Sequence, residues 1–206
     1  MSLFIAFEGG EGCGKSTQTR LLLRRLERQG IPAILTHEPG GTALGNEIRR
    51  LLKKERGLPI SSLAELFLFA ASRVQLVDEL IRPALEADKV VICDRFTYST
   101  LVYQGYGRGL NLAAVDTINN MATGNLEPYL TILLDMPSEH GLERRRSSKD
   151  RFELEDLSFH HRVRDGYLKI ASAERDRWLL IDASLTRARI AEIIWGKVSR
   201  LLPLSL

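Results

Sequence analysis

Five short apolar runs punctuate the chain: Leu3 to Phe7, Ala33 to Leu35, Val90 to Cys93, Leu130 to Leu134 and Trp178 to Ile181. Each is unbroken rather than alternating, as expected of strands covered on both faces. Longer stretches with apolar residues at helical spacing lie between them. One starts at about Lys15, carries Leu22, Leu23 and Leu26, and ends at Gly30; another bears Leu44, Ile48, Leu51 and Leu52. A third opens on Ser62-x-x-Glu65, read as a capping box, with Leu63, Leu66, Ala70, Val74, Val77 and Ile81 as its core stripe. The last, through Ile190, Ile193, Ile194 and Trp195, reads as core packing. Four apolar runs lead directly into Glu8, Asp94, Asp135 and Asp182, which therefore stand along one edge of the sheet. The alternation predicts an α/β fold: a five-stranded parallel sheet with helices on both faces and right-handed crossovers. Ligands of such a sheet bind beyond the carboxyl ends of its strands.

Composition narrows this to one globular unit spanning 1–206: the chain has 206 residues, 44% hydrophobic and 27% charged, with no repeat, linker or low-complexity segment. A net charge of +3, locally clustered, suits a small anionic ligand better than a nucleic acid. No apolar run reaches membrane-spanning length and no signal peptide opens the chain, so a cytoplasmic location is expected. The two cysteines, Cys13 and Cys93, form no C-x-x-C pair, and the four histidines lack metal-ligand spacing, so structural zinc is not expected.

The stretch FEGGEGCGKST, residues 7–17, carries the sharpest chemistry. Its Gly9-x-x-x-x-Gly14-Lys15-Ser16 pattern sits after a strand and before a helix, the context that makes it a phosphate-binding P-loop. The fold expected is therefore P-loop NTPase-like. Glycines let backbone N–H groups turn toward phosphate oxygens, and the helix N-terminus adds partial positive charge. Lys15 reaches the outer phosphates and Ser16 can ligate magnesium. Gly9, Gly10, Glu11, Gly12, Cys13, Gly14, Lys15, Ser16 and Thr17 form the expected ATP-binding segment, and a thiol reagent at Cys13 should inactivate. No N-K-x-D is present and no D-x-x-G follows a strand, which argues against a GTPase switch. Instead Val90 to Arg95 delivers Asp94 and Arg95 side by side at the sheet edge: Asp94 could hold magnesium or its water, Arg95 a phosphate, or the two could form a structural ion pair.

Taken in order, FEGGEGCGKST, HEPGGT, FAASRVQLV, CDRFTYST, YQGYGRG, RRRSSKDRFE and IDAS resemble the thymidylate kinase family nearly end to end. The resemblance implies phosphoryl transfer from ATP to dTMP, giving dTDP and ADP, with Mg2+, and a homodimer. Phe69 and Arg73, four apart on one helix, offer an aromatic face and a donor fork that suit a pyrimidine base, and the family uses the matching pair so; otherwise they read as a core phenylalanine beside a surface arginine. By the same resemblance Glu38 and Pro39 belong to the substrate site, Arg49 and Arg95 grip the acceptor phosphate, Thr100 and Gln104 meet the base, and Tyr103 lies near the sugar, where it could exclude a 2′-hydroxyl.

A short basic lid at about 141–153 completes the expected machinery, with Arg144 toward ATP. The acceptor phosphate, with a second pKa of about 6, is already mostly ionised at neutral pH, so it needs charge neutralisation more than a general base. In-line transfer then rests on positioning and cations, namely Lys15, magnesium and lid arginines. One branch of the family carries a catalytic arginine in the P-loop; Gly10, Glu11, Gly12 and Cys13 include none, so the lid supplies it. Arg146 and Arg151 rank first, since Ser148 or Lys149 falls where an arginine is expected. Glu11 would face these cations and draw the lid closed. Two other classes compete: a kinase for a different nucleoside monophosphate, and a non-catalytic ATP-binding module.

Overall fold

A computed structural model describes residues 2–53, 59–144 and 150–202. All five apolar runs are strands, each extended at its carboxyl end into polar residues: β1 (Leu3–Glu8), β2 (Ala33–His37), β3 (Val90–Asp94), β4 (Leu130–Asp135) and β5 (Trp178–Asp182). Every pairing is parallel and the order is β2-β3-β1-β4-β5, so β1 lies at the centre. This matches the sheet expected from the pattern.

The period of two along β1 explains its unbroken apolar run. Leu3, Ile5 and Phe7 pack on one face with Leu22 and Leu26 of α1 (Lys15–Arg28) and Ile190, Ile194 and Val198 of α9 (Arg187–Val198). Phe4 and Ala6 point to the other face, against Leu76 of α3 (Ser62–Leu76) and Val77 and Ile81 of the π-helical turn Val77–Ile81 that prolongs it. Beside that layer, α8 (Leu157–Ala173) and the π-helical turn Leu101–Gly107 enclose Leu133 and Trp178 with Val102, Tyr103, Phe159 and Tyr167.

Two helical expectations need correction. The cap of α3 is Ser61, whose hydroxyl accepts from the Ala64 N–H at 3.3 Å; Ser62 is already helical. Its stripe is also rotated: Leu63 and Val74 are exposed, while Glu65, Ser72 and Arg73 are buried beside Leu66, Ala70 and Leu76. The helix turns toward the site because those polar side chains have partners there. The helix α2 (Ala43–Lys53) buries Ile48 and Leu52 and leaves Leu44 and Leu51 exposed.

Candidate active site

The carboxyl ends of β1, β2 and β3 open onto one cavity of about 590 Å³. Its walls include Gly12, Gly14, Lys15, Ser16 and Thr17 from the P-loop, Glu38, Pro39 and Arg49 from the segment after β2, and Asp94 and Arg95 from the end of β3. Phe69, Tyr103 and Gln104 complete it, with Arg144 and Phe152.

Gly14 takes a left-handed conformation (φ 94°) as it enters α1, and the Thr17 and Gln18 N–H groups both donate to its carbonyl. With no acidic side chain in the first turn of α1, its N-terminal partial charge stays available to an anion. The Lys15 ammonium folds over the loop, donating to the Gly9 and Gly10 carbonyls at 2.9 and 2.6 Å. The Ser16 hydroxyl donates to Asp94 Oδ2 at 2.5 Å, which brings together the two oxygen donors expected at a metal. Gly12, at φ +69°, lies against the Gly141 backbone of α7 (Ser138–Arg144), and any side chain there would overlap the Gly141 carbonyl. The P-loop is thereby fixed to the helix leading toward 145–149.

The Cys13 side chain is not part of the cavity wall. Its thiol is buried in the core and donates to the Gly10 carbonyl at 3.1 Å, so only its backbone is free to serve a phosphate.

Asp94 and Arg95 do not pair with each other, which removes the simple ion-pair reading. Arg95 adopts a positive φ of 75°, uncommon for a non-glycine residue and of a kind concentrated at functional sites. Its guanidinium reaches the Gly9 carbonyl at 3.0 Å, Glu11 Oε1 at 2.6 Å and the Tyr103 hydroxyl at 3.1 Å, tying the P-loop to the π turn. Glu11 therefore engages Arg95 and Tyr103; residues 145–149 of the lid it was expected to face lie outside the described residues. Burial alone would push its carboxyl up, but Arg95, Lys15 and the Tyr103 hydrogen bond outweigh that and hold it at about 2.

Beneath this group lies Glu8, fully buried at the end of β1. It accepts from the Phe96 and Ser99 N–H groups at 2.9 and 3.2 Å, the Ser99 hydroxyl at 2.6 Å and the Tyr167 hydroxyl at 2.7 Å. Burial pushes its carboxyl up, with Ser99 and Arg95 pulling the other way. Four donors on one carboxylate fix the segment whose first residue is the strained Arg95.

Phe69 stands in the wall at the other end, with its ring 5.8 Å from that of Phe152. Arg73 lies behind the wall rather than on the surface, only 1% exposed. It donates to Glu38 through Nε and Nη2, to Asn119 Oδ1 at 2.6 Å and to Thr100 Oγ1 at 2.8 Å. Burial pushes the Glu38 carboxyl up, partly offset by Arg73. Four of the five Arg73 N–H groups are accounted for in this way, which leaves one on Nη1 for a further acceptor. Arg49 donates to the Pro39 carbonyl at 2.9 Å, within the wall.

Of the lid candidates, Arg146 lies outside the described residues, as do Arg145, Ser147, Ser148 and Lys149. Arg144 faces the cavity and donates to the Ala183 carbonyl at 3.3 Å. Arg151 is absent from the cavity wall: it donates to Glu65 Oε2 at 2.5 Å and to the Leu52 carbonyl at 3.1 Å. Sequence reasoning missed Glu8, Glu65, Asn119 and the Lys53–Asp150 pair at 2.7 Å. Only Glu8 carried a signal, as the first polar residue after an apolar strand and immediately before the P-loop glycines.

A parallel sheet with a P-loop at its central strand, a hydroxyl–carboxylate pair beside it and arginines over the same cavity defines a P-loop phosphotransferase. The thymidylate kinase family model matches residues 7–194, and the chain belongs to that family. It is 55% identical to the thymidylate kinase of Dehalococcoides mccartyi over 205 residues, covering 99% of both chains, and 50% identical to that of a Synechococcus species, covering 98% of this chain and 97% of the relative. The crystal structure of thymidylate kinase from Ehrlichia chaffeensis superposes with a TM-score of 0.76 at 35% identity, covering 98% of this chain and 99% of that one. The family phosphorylates dTMP to dTDP with ATP.

Proposed function

We propose that this chain performs that reaction through one cavity in which the P-loop holds ATP and the wall from Glu38 to Gln104 holds dTMP. The observation that carries the reading is Arg95. It touches both the P-loop carbonyl of Gly9 and the π-turn hydroxyl of Tyr103, so one cation stands where donor and acceptor phosphates must meet.

Lys15 leaves the loop carbonyls for the outer phosphates of ATP, while the N–H groups of Gly10 to Thr17 surround them. Ser16 and Asp94, a hydroxyl and a carboxylate in hydrogen-bond contact, are hard oxygen donors suited to Mg2+, which would offset phosphate charge when bound. Arg49 and Arg95 hold the acceptor phosphate, Phe69 stacks on the base, and the remaining Arg73 N–H and Gln104 address its polar edge. Glu38 keeps Arg73 in place, with Pro39 shaping the wall. Thr100 acts through Arg73, and Tyr103 lies beside the sugar. The cation over the transferred group comes from the lid at about 141–153, a part of the single domain: Arg144 already faces the cavity, whereas Arg151 must first leave Glu65, and Arg146 is its alternative.

Exposed Leu44 and Leu51 on α2 and Leu63, Phe67 and Val74 on α3 form an apolar surface suited to a second copy of the chain. Light scattering at micromolar concentration should give the mass of a homodimer; a monomer would remove that reading. No helix among the described residues is long and apolar enough to cross a membrane. Both cysteines are free, which supports a reducing, cytoplasmic setting.

ADP release from ATP and magnesium, measured against dTMP, dUMP, UMP, CMP, AMP and GMP, tests the whole reading. Strong preference for dTMP is expected. Preference for another monophosphate would preserve the phosphate end and overturn the base end, and no transfer to any would reduce the protein to a nucleotide-binding module.

A further inference from the structure

Gln104 lines the cavity, yet only 1% of it is exposed, and its Oε1 has no hydrogen-bond partner among the described residues. The other end of the amide is committed: Nε2 donates to Glu65 Oε1 at 2.7 Å. Glu65 is itself completely buried. It also accepts from Arg108 Nε and Nη2 at 3.2 and 3.3 Å and from Arg151 Nη2 at 2.5 Å. A carboxylate paired with two guanidinium groups accepts and does not donate. Turning the amide over would set Gln104 Oε1 against Glu65 Oε1, two acceptors in contact in a dry site. The orientation of Gln104 is therefore imposed from behind, by a residue on α3 that the cavity wall does not include.

We propose that Glu65 is a specificity-positioning residue: it locks the Gln104 amide with its oxygen toward the base and so selects pyrimidines that carry a ring N3–H. Thymine and uracil present that donor. Cytosine presents an N3 acceptor, which would leave two buried acceptors opposed, the kind of mismatch that gives a polar site its largest discrimination. The 5-methyl group is not read by this amide, so the device separates dTMP and dUMP from dCMP without separating dTMP from dUMP. The proposal rests on the reading of this cavity as a dTMP site.

The variant Glu65→Gln tests it, because Gln at 65 can either accept or donate and thereby frees the Gln104 amide to turn. Measurement of kcat/KM for dTMP, dUMP and dCMP should show the dTMP-to-dCMP preference falling by about tenfold or more, with the dTMP-to-dUMP ratio unchanged. Loss of turnover for all three substrates with their ratios intact would overturn the proposal, since Glu65 would then serve only the fold. Should the single variant fail to fold, the double variant Glu65→Gln with Arg108→Met removes one of the two guanidinium groups that Glu65 balances and is read by the same ratio. A wild-type protein that phosphorylates none of the three would bring down the dTMP reading, and this proposal with it.

Discussion

At the P-loop end of the cavity the polar groups come from near neighbours in the chain, Glu11, Gly12 and Gly14 to Thr17, which line the open space. At the base end they come from distant ones: Arg73 is joined to Phe96, Thr100, Glu38 and Asn119 over separations of 23 to 46 positions, all buried. The difference fits the ligands proposed for the two ends. A triphosphate carries charge in every direction and is satisfied by a ring of donors with local positive potential. A neutral base has a fixed pattern of donors and acceptors, and matching it needs side chains that cannot turn. Buried ion pairs and amide locks provide that rigidity, and they carry a desolvation penalty that Glu38 shows as a raised carboxyl.

This contrast predicts opposite signatures for two methionine substitutions. Arg73→Met leaves Glu38 buried without its cation, and breaking such a pair costs about 3–5 kcal/mol, so a large fall in unfolding free energy should accompany weaker dTMP binding. Chemical denaturation measures the first and calorimetry the second. Lys15→Met removes a cation whose hydrogen bonds are to the loop itself, and turnover should fall about 10²–10³-fold while dTMP binding and stability stay close to wild type. If Lys15→Met destabilised as much as Arg73→Met, the distinction between an open, local end and a buried, woven end would collapse.

The same contrast explains what was legible in the sequence. All five strands were readable because parallel strands must be apolar on both faces, and the P-loop was readable because its donors are neighbours in the chain. The Arg73 fork could be singled out by its spacing from Phe69, but not its burial: four-residue spacing places two side chains on one side of a helix without saying how the helix is rolled. The roll of α3 is set by Glu65, Ser72 and Arg73, whose partners lie on other elements, so a stripe drawn through apolar residues alone included the exposed Leu63 and Val74. The Arg151 contact is hidden from the sequence for a related reason. Arg151 belongs to a basic run, and nothing local shows that a buried carboxylate on α3 claims it. Glu11 was placed in the P-loop correctly, while its partnership with Arg95 depends on the crossover that sets β3 beside β1.

That partnership supplies the smallest and most pH-specific expectation, at the junction between the two ends. The carboxyl of Glu11 is held at about 2, below its ordinary value of 4.5, so in acid the folded protein binds fewer protons there than the unfolded chain does. Its contribution, on the order of 3 kcal/mol, is fully present above about pH 4.5 and is lost as the pH falls from there toward 2. Glu11→Gln should therefore lower stability at pH 7 by that order and flatten the dependence of unfolding free energy on pH between 4.5 and 2. Urea titrations across this range give both quantities. An unchanged acid limb in the variant would mean that Glu11 does not carry the ion pair with Arg95, and the Arg95 bonds to Gly9 and Tyr103 would then carry more of the junction between the P-loop and the base wall.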